Sequence, residues 1–523
     1  MFKSVRFKTF AIPLSLEIST LCVVNTTTMA EGAETVKLSL RLLIDEERNK
    51  VVLAETGKDF VDVLFSFLTL PMGTIVRLLE KHRTSPQVVV GCFNNLYKSV
   101  SEMGLESFQT ESCKQVLLYP RSVYRDKYRK IKLKIDDTEA VKYFVCPRFH
   151  HGGGYCRRYY SLLSTESCGC GEIVDSKLVS GLMNQEIQEL DEEQVQGNSD
   201  DIFVSYENSF VITDDLKVAL SSMDYVLNTL KGLGYANAHK LGEIVLDVGL
   251  SEIFTLLECL FTSDSPLTDT FLRKQSSLCL TRSRIPLTPT VQESGAGPEQ
   301  TITLKAFVRK VDGKFLCVES GADFIDLVFT FLALPLGSVW DISGDNITLG
   351  CIGNVFRSFK GLNEENDDSS SSAKCLLPSY YSCPKQLLDV VTLQTEIYYY
   401  RFCPSPADPF GGCSRLGFTR KMPDCFNSQS QNIKVFDMTS FGFVRGYVRY
   451  LVTDDLVIKL KDSVSNISLL KLTMHLAEED VREQMITIGK SEAISLLRTS
   501  MITSSALTTC FWNLIVKKAK EET

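Results

Sequence analysis

At 523 residues, with 44% apolar and 23% charged side chains, the chain is long enough for two to four domains and has the make-up of a soluble globular protein. A net charge of -8 disfavours loose binding to nucleic acid or to an anionic membrane, and no window of about eighteen uncharged apolar residues offers a spanning helix. The 17 cysteines cannot all pair. Without a convincing secretory signal they read as mostly reduced thiols, which places the protein in the cytoplasm.

Residues 1–35 carry Lys3, Arg6 and Lys8 ahead of an apolar run, a loose targeting pattern. Pro13 and Glu17 interrupt that run and the stretch before Met29 is a poor cleavage site, so a disordered N-terminal extension is expected. From Val36 the pattern VKLSLRLLI, then polar DEERNK, then VVLAE predicts a β-hairpin. A matching hairpin is expected over 302–319, with Asp312-Gly313 at its turn.

The stretch that follows organises the chain. Residues 55–73, ETGKDFVDVLFSFLTLPMG, return without a gap at 319–337 as ESGADFIDLVFTFLALPLG, with eleven of nineteen positions identical. Thr56-x-x-Asp59 and Ser320-x-x-Asp323 have the form of capping boxes, so each copy predicts a helix that ends near its proline. Phe60, Leu64, Phe67 and Leu68, broadened by Val63 and Phe65, give that helix a core-facing side. A second helix is expected where Val90, Phe93, Leu96, Tyr97, Val100 and Met103 recur by three and four. GCFNNL at 91–96 matches GCIGNV at 350–355.

Cysteine-rich regions come next in both halves, interrupted by polar insertions at 185–201 and 363–372 that read as loops. Thr213-Asp-Asp-Leu216 matches Thr453-Asp-Asp-Leu456. Leu216, Leu220, Met223, Leu227 and Leu230 predict a helix stopping at Gly232. EIVLDVG at 243–249 then predicts a strand leading into a helix that carries Ile253, Leu256, Leu257 and Leu260. The expected fold is α+β: an extension over 1–35, a first module over 36–280, a Pro/Gly/Ser-rich linker over 281–300, and a second copy of the same hairpin/helix module over 301–515.

The opening KLSLRLLIDEERNKVVLAETGKDFVDVLFSFLTLPMGTIVRLL, the GCFNNLYKSV stretch and the paired TDDL segments closely resemble the plant family called domain of unknown function 674. The resemblance runs from about Val36 to Phe511. It implies a plant protein built from this module and brings no activity, substrate or catalytic residue with it.

Thiols are the strongest candidates for chemistry. Cys146, Cys156 and Cys168 are spaced C-x9-C-x11-C, and Cys403, Cys413 and Cys425 repeat that spacing. Cys170 adds a fourth thiol to the first set, the number that a closed tetrahedral zinc site needs. In the second set Asn427 stands at the fourth position, leaving Asp408, Asp424 or Cys383 to complete a shell. Neither set has the C-x2-C knuckle of specific zinc motifs, so reduced loop thiols and disulfide or redox chemistry stay open. His150 and His151 lie inside the first set without counterparts in the second and read as loop residues.

Glu55, Asp59 and Asp62, repeated as Glu319, Asp323 and Asp326, have a spacing that suits binding of a divalent cation or an acid-base pair. Capping of a helix start accounts for them more simply, as it does for the two TDD runs. Gly57-Lys58 lacks the upstream glycine of a phosphate loop, and Gly152-Gly-Gly154 leads into no helix. The basic run between Arg121 and Lys134 holds Arg125, Lys127, Arg129 and Lys130 with Tyr124 and Tyr128. Its end alternates Ile131, Leu133 and Ile135 with lysines, which predicts a half-buried strand with a solvated face rather than an RNA-binding one. No nucleophile elbow, H-E-x-x-H or Cys/His pair stands out.

The sequence therefore points to a non-enzymatic interaction or regulatory scaffold, recruiting a protein partner and stabilised by structural zinc at Cys146, Cys156, Cys168, Cys170, Cys403, Cys413 and Cys425. The alternatives are a metal-dependent enzyme using the three-cysteine site of the second module, and weak RNA binding through the basic run.

Overall fold

In the first half, alternation in LSLRLLID puts Leu38, Leu40, Leu42 and Ile44 on one buried face of β1 (Leu38–Asp45). The strand turns at Asn49, whose φ of 47° is left-handed, and pairs antiparallel with β2 (Lys50–Thr56). The expected hairpin is present. The computed structural model describes residues 36–82, 90–120, 131–138, 144–148, 156, 159–161, 164, 167–177, 202–204, 209–235, 241–273, 301–343, 349–364, 397–402, 415–419, 433–437, 442–461 and 480–521. The N-terminal extension, the linker, the 185–201 insertion, residues 365–372 of the other insertion and the start of the basic run lie outside these residues.

Helix α1 (Lys58–Ser66) follows, and a 3-10 turn at Phe67–Thr69 leads to Pro71, which caps α2 (Met72–Lys81). Phe60, Val61, Val63, Leu64 and Phe65 are all buried, at roughly 2 kcal/mol each for the larger side chains. The capping boxes do not form. Thr56 ends the strand with its hydroxyl donating to Ser39 O, and Gly57 takes the N-cap with no side-chain bond. The chain goes on through α3 (Phe93–Glu102), α4 (Glu111–Leu118), β3 (Phe144–Val145), β4 (Tyr159–Ser161), β5 (Ser176–Lys177), β6 (Phe210–Thr213), β7 (Val218–Leu220), α5 (Met223–Gly232), β8 (Gly242–Val248) and α6 (Leu250–Thr262). Val90, Phe93, Leu96, Val100 and Met103 are buried as their spacing predicts, as are the four apolar residues expected on α6.

The second half repeats the scheme. β9 (Ile302–Arg309) and β10 (Phe315–Ser320) form its hairpin, with Gly313 at a φ of 67° in the turn. Next come α7 (Ala322–Ala333), α8 (Leu336–Ser343) and α9 (Ile352–Glu364). After β11 (Ile397–Phe402), β12 (Arg415–Thr419) and β13 (Ile433–Asp437) the chain forms β14 (Tyr450–Thr453), β15 (Ile458–Leu460), β16 (Val481–Ile488), α10 (Lys490–Ile502) and α11 (Ala506–Glu521). Ser320, like Thr56, ends a strand, and Gly321 takes the N-cap without a side-chain bond. The first sheet has the order β7-β6-β2-β1-β8 and the second β15-β14-β10-β9-β16, all antiparallel. These are two similar α+β modules.

Thr213-Asp-Asp-Leu216 does not start a helix. It is the turn between β6 and β7, with Leu216 N donating to Thr213 O and Thr213 N to Lys217 O. Leu216 sits at a φ of 61° and Leu456 at 62°. The helix starts instead at Met223, capped by the Ser222 hydroxyl, and ends at Gly232 as predicted. Asp214 accepts from the Thr268 amide (2.9 Å) and hydroxyl (2.8 Å), tying the turn to the segment after α6; Asp454 accepts from Thr508 N (2.7 Å).

The halves interlock. At the crossing, Met72 N donates to Leu334 O (2.9 Å) and Leu336 N to Leu70 O (3.0 Å), so Pro71 and Pro335 face each other. Beyond it, α3 packs on α2 and α4 of its own half and reaches across to β15 of the second sheet, while α9 reaches across to β7 of the first. Ile458 N donates to Ser99 Oγ and Val218 N to Ser358 Oγ, each at 2.9 Å. One continuous hydrophobic core draws on both halves, with Phe65 edge-on to Phe359 at 5.4 Å and Phe108 stacked near Phe329 at 6.3 Å. Residues Lys37–Thr523 form one compact unit.

A third sheet also joins the halves, in the order β12-β11-β13-β4-β3-β5. Its middle pair is parallel, with Phe436 opposite Tyr159 and Asp437 opposite Tyr160. Residues 131–138 are not a strand as expected. Ile131, Leu133 and Ile135 are buried between exposed Lys132 and Lys134, but this segment pairs with no strand among the described residues. Among the described residues no helix is long and apolar enough to cross a membrane.

Candidate metal centre

Four side chains of the third sheet converge. Cys146 follows β3, Cys156 precedes β4, and Cys168 and Cys170 come from the loop before β5. That loop is a tight turn: Gly171 N donates to Cys168 O and Cys168 N to Glu172 O, each at 2.8 Å. Gly171 holds a φ of 88°, a conformation that strains any residue with a side chain. A Ser167–Ile173 bridge closes the loop's base.

The Cys146 and Cys170 sulfurs are 3.5 Å apart, those of Cys156 and Cys168 3.9 Å, and all four lie within 4.8 Å of one another. A disulfide would need about 2.05 Å. A tetrahedron of thiolates about 2.3 Å from a central ion has edges near 3.8 Å, so this donor set is close to the size that a metal ion needs. None of the four is bridged.

Two backbone amides are turned toward the sulfurs at equivalent places. Arg148 N donates to Cys146 Sγ (3.4 Å), and the Glu172 amide donates to Cys170 Sγ, each from two residues on. Arg148 and Glu172 then pair through their side chains at 2.7 Å, clipping the two loops together. Burial pushes the Cys146 thiol up to about 12 and raises Cys156 as well. The Glu172 amide draws Cys170, which reaches solvent, down to about 7. A bound cation reverses the effect of burial, because a coordinating thiol gives up its proton.

The surroundings say what such an ion would do. Phe144, Cys146, Cys156, Cys168 and Val174 form a small buried cluster separate from the main core. The strands around it are two or three residues long. Among the described residues Phe144 and Val174 are the apolar side chains packed directly around the sulfurs, and they supply only a few kcal/mol, while Val145 of β3 joins the main core. A crosslink through the four sulfurs would fix β4, the strand that pairs with β13 of the other half.

A family model described as a protein of unknown function (DUF674) matches residues 34–491. The chain belongs to this family. No curated protein and no solved structure matches it. In this DUF674 chain Cys403, Cys413 and Cys425 lie outside the described residues, with Cys383, Asp408, Asp424, Asn427, His150, His151 and Gly152-Gly-Gly154.

The acid pairs separate into different roles. Asp59 lies in the first turn of α1 and pairs with Lys132. Asp62 does not cap its helix: it is 2% exposed and accepts from Phe203 N at 3.1 Å. Burial pushes its carboxyl up to about 6. Its counterpart Asp326 is fully buried and accepts from Phe443 N (2.8 Å) and Val444 N (3.0 Å). These carboxylates anchor the segments leading to β6 and β14, and the two sites lie too far from the thiols in sequence for spacing to relate them. The signal for this role was present: Phe-Val at 203–204 returns at 443–444, at the 240-residue offset that also relates the TDDL turns. His82 is stacked on Phe254, ring centroids 3.8 Å apart, a packing contact that lowers its basicity through burial.

Proposed function

We propose that Cys146, Cys156, Cys168 and Cys170 hold a structural zinc ion, and that the protein is a non-enzymatic interaction or regulatory scaffold of the plant cytoplasm whose ligand is another protein. The observation carrying this reading is the four-sulfur cluster itself. Four protein donors fill a tetrahedral shell and leave no position for substrate, the mark of a structural rather than a catalytic site. Four single thiols at this spacing suit a mononuclear site, and zinc prefers such a shell. In this reading an ancestral module was duplicated into 36–280 and 301–515, joined by 281–300, and Cys403, Cys413 and Cys425 form a second centre.

Elemental analysis of the purified full-length protein tests the proposal. Zinc should be present, and Cys146→Ser or Cys168→Ser should lower its content by one ion per chain. Reduced protein that neither contains nor takes up zinc would overturn the reading, and red protein carrying iron would replace the metal. Saturable turnover of a metabolite would sink the scaffold assignment.

A further inference from the structure

The sulfurs of the metal centre differ in access. Cys146, Cys156 and Cys168 are 2%, 4% and 7% exposed, whereas Cys170 reaches solvent. Cys170 is also the sulfur in closest contact with a second one, Cys146, 24 residues earlier in the chain. Their loops are already held together by the Arg148–Glu172 ion pair and by the β3–β5 ladder. Bridging Cys146 and Cys170 therefore requires shortening a 3.5 Å contact to bonding distance, with no relocation of either loop. A Cys168–Cys170 bridge would have to close across a single residue.

We propose that this centre is a peroxide-responsive clasp, in which a hydroperoxide oxidises Cys170 and Cys146 to a disulfide and so releases the metal. The inference rests on the zinc reading above. In the first step the Cys170 sulfur attacks one peroxide oxygen. An S–O bond forms, the O–O bond breaks, and the departing oxygen leaves as hydroxide that takes a proton from solvent. Sulfur is oxidised by two electrons and the peroxide reduced by two. In the second step Cys146 thiolate attacks the Cys170 sulfur. The S–S bond forms, the S–O bond breaks, and hydroxide again leaves as water after protonation. The sum is two thiolates, one hydrogen peroxide and two protons giving one disulfide and two waters. Cys156 and Cys168 alone cannot complete a tetrahedral shell, so the ion leaves.

The consequence reaches the other half of the molecule. β4 lies between Cys156 and Cys168 in sequence, and its far edge carries the parallel pairing to β13. Losing the ion unfastens the strand through which this layer grips the second module.

Zinc-loaded full-length protein treated with hydrogen peroxide provides the test. Zinc release is followed with a colorimetric chelator, and the thiols by peptide mapping without reductant. Release of the ion with a peptide linking Cys146 to Cys170, reversed by a thiol reductant plus zinc, is the expected result. Zinc that stays bound, a bridge between Cys156 and Cys168 instead, or Cys170 ending as sulfinic acid without a disulfide overturns the inference and leaves the structural zinc standing. Protein that binds no zinc before peroxide is added overturns both.

Discussion

The side-chain amide of Asn95 donates to the carbonyl oxygen of Asp455 at 2.8 Å and to its carboxylate at 3.1 Å, across 360 residues of chain. Asn354 makes the same two bonds to Asp215, at 2.7 and 3.2 Å. Each asparagine rides on the helix of one half that reaches across, and each aspartate sits in the strand turn of the other. The two bonds are thus the polar latches of an interlocked pair of modules. The apolar stripe of α3 supplies most of the attraction; the latch fixes which surface it settles on.

Breaking one latch should loosen the interlock. A hydrogen bond to a charged group contributes about 1.5–3 kcal/mol, so Asn95→Ala is expected to destabilise by about 2 kcal/mol, and Asn354→Ala by a similar amount. Urea denaturation of a double-mutant cycle with Asp455→Ala reads the coupling directly. A coupling energy near zero would mean that the carboxylate adds nothing to the latch, leaving the asparagine its bond to the Asp455 carbonyl.

Gly91 and Gly350 should tolerate no side chain. Both have left-handed φ values, 51° and 48°. A Cβ on Gly91 would overlap the carbonyl oxygen of Ser500, and one on Gly350 that of Leu260. The next amides need that proximity, because Cys92 N donates to Ser500 O at 2.7 Å and Cys351 N to Leu260 O at 3.0 Å. Gly91→Ala combines about 1 kcal/mol of backbone strain with displacement of the helix. A loss of 3 kcal/mol or more is expected, roughly. Thermal unfolding of the two alanine variants checks this, and a midpoint unchanged from the parent would refute it.

Asp62 predicts a pH dependence with a definite sign. Its folded carboxyl titrates near 6, above the usual unfolded value of about 3.9, because burial disfavours the charged form. The native state therefore binds the proton more tightly, and the associated stability is complete below about pH 4 and lost as pH rises through 6. Asp62→Asn keeps an oxygen for the Phe203 amide and abolishes the titration. It should match the parent at pH 4 and exceed it at pH 7 by about 2 kcal/mol. Equal urea midpoints of parent and variant at both pH values would count against a titrating Asp62.

Removal of the proposed zinc ion should act locally first. The small thiol cluster is separate from the main core, so a chelator should deprotect the amides around Cys146, Cys156, Cys168 and β13 while leaving α1 and α7 closed. Hydrogen exchange read by mass spectrometry distinguishes this from global loosening. Arg148→Ala removes an exposed ion pair and should change stability by about 0.5 kcal/mol or less.

Periodicity made the hairpins, α1, α3 and α6 legible, because each buries a face whose spacing is fixed by its own geometry; β8 was legible from its run of β-formers although only Val248 of it is buried. That Cys146, Cys156, Cys168 and Cys170 could meet was legible too, from their number and spacing, while their use stayed open between zinc, reduced thiols and redox chemistry. Asp62 was legible only through the repeat of Phe-Val at 203–204 and 443–444: the amide it accepts from lies 141 residues away, and an acid in a helix's first turns looks the same whether it caps or anchors. The reach of α3 and α9 across the halves was not legible, since an apolar stripe records that a helix is covered and not which copy of the sheet covers it. The TDDL turn misled because its strands are only four and three residues long and Leu216, Leu220 and Met223 fall at helical spacing by accident.

Leu216 gives a last test, in which two opposed effects can be weighed. Its left-handed backbone costs about 1–2 kcal/mol, an expense that glycine would remove. Its side chain is fully buried in the main core, however, and deleting a buried leucine side chain costs about 2–5 kcal/mol. Burial wins, so Leu216→Gly should destabilise by about 2 kcal/mol despite relieving strain. Leu216→Asn should do worse, since asparagine accepts the left-handed φ but places an amide in an apolar site. The twin substitution Leu456→Gly should behave alike, as Leu456 shares both the φ and the burial. Urea midpoints that rise in the glycine variants would show that strain, not burial, governs these turns.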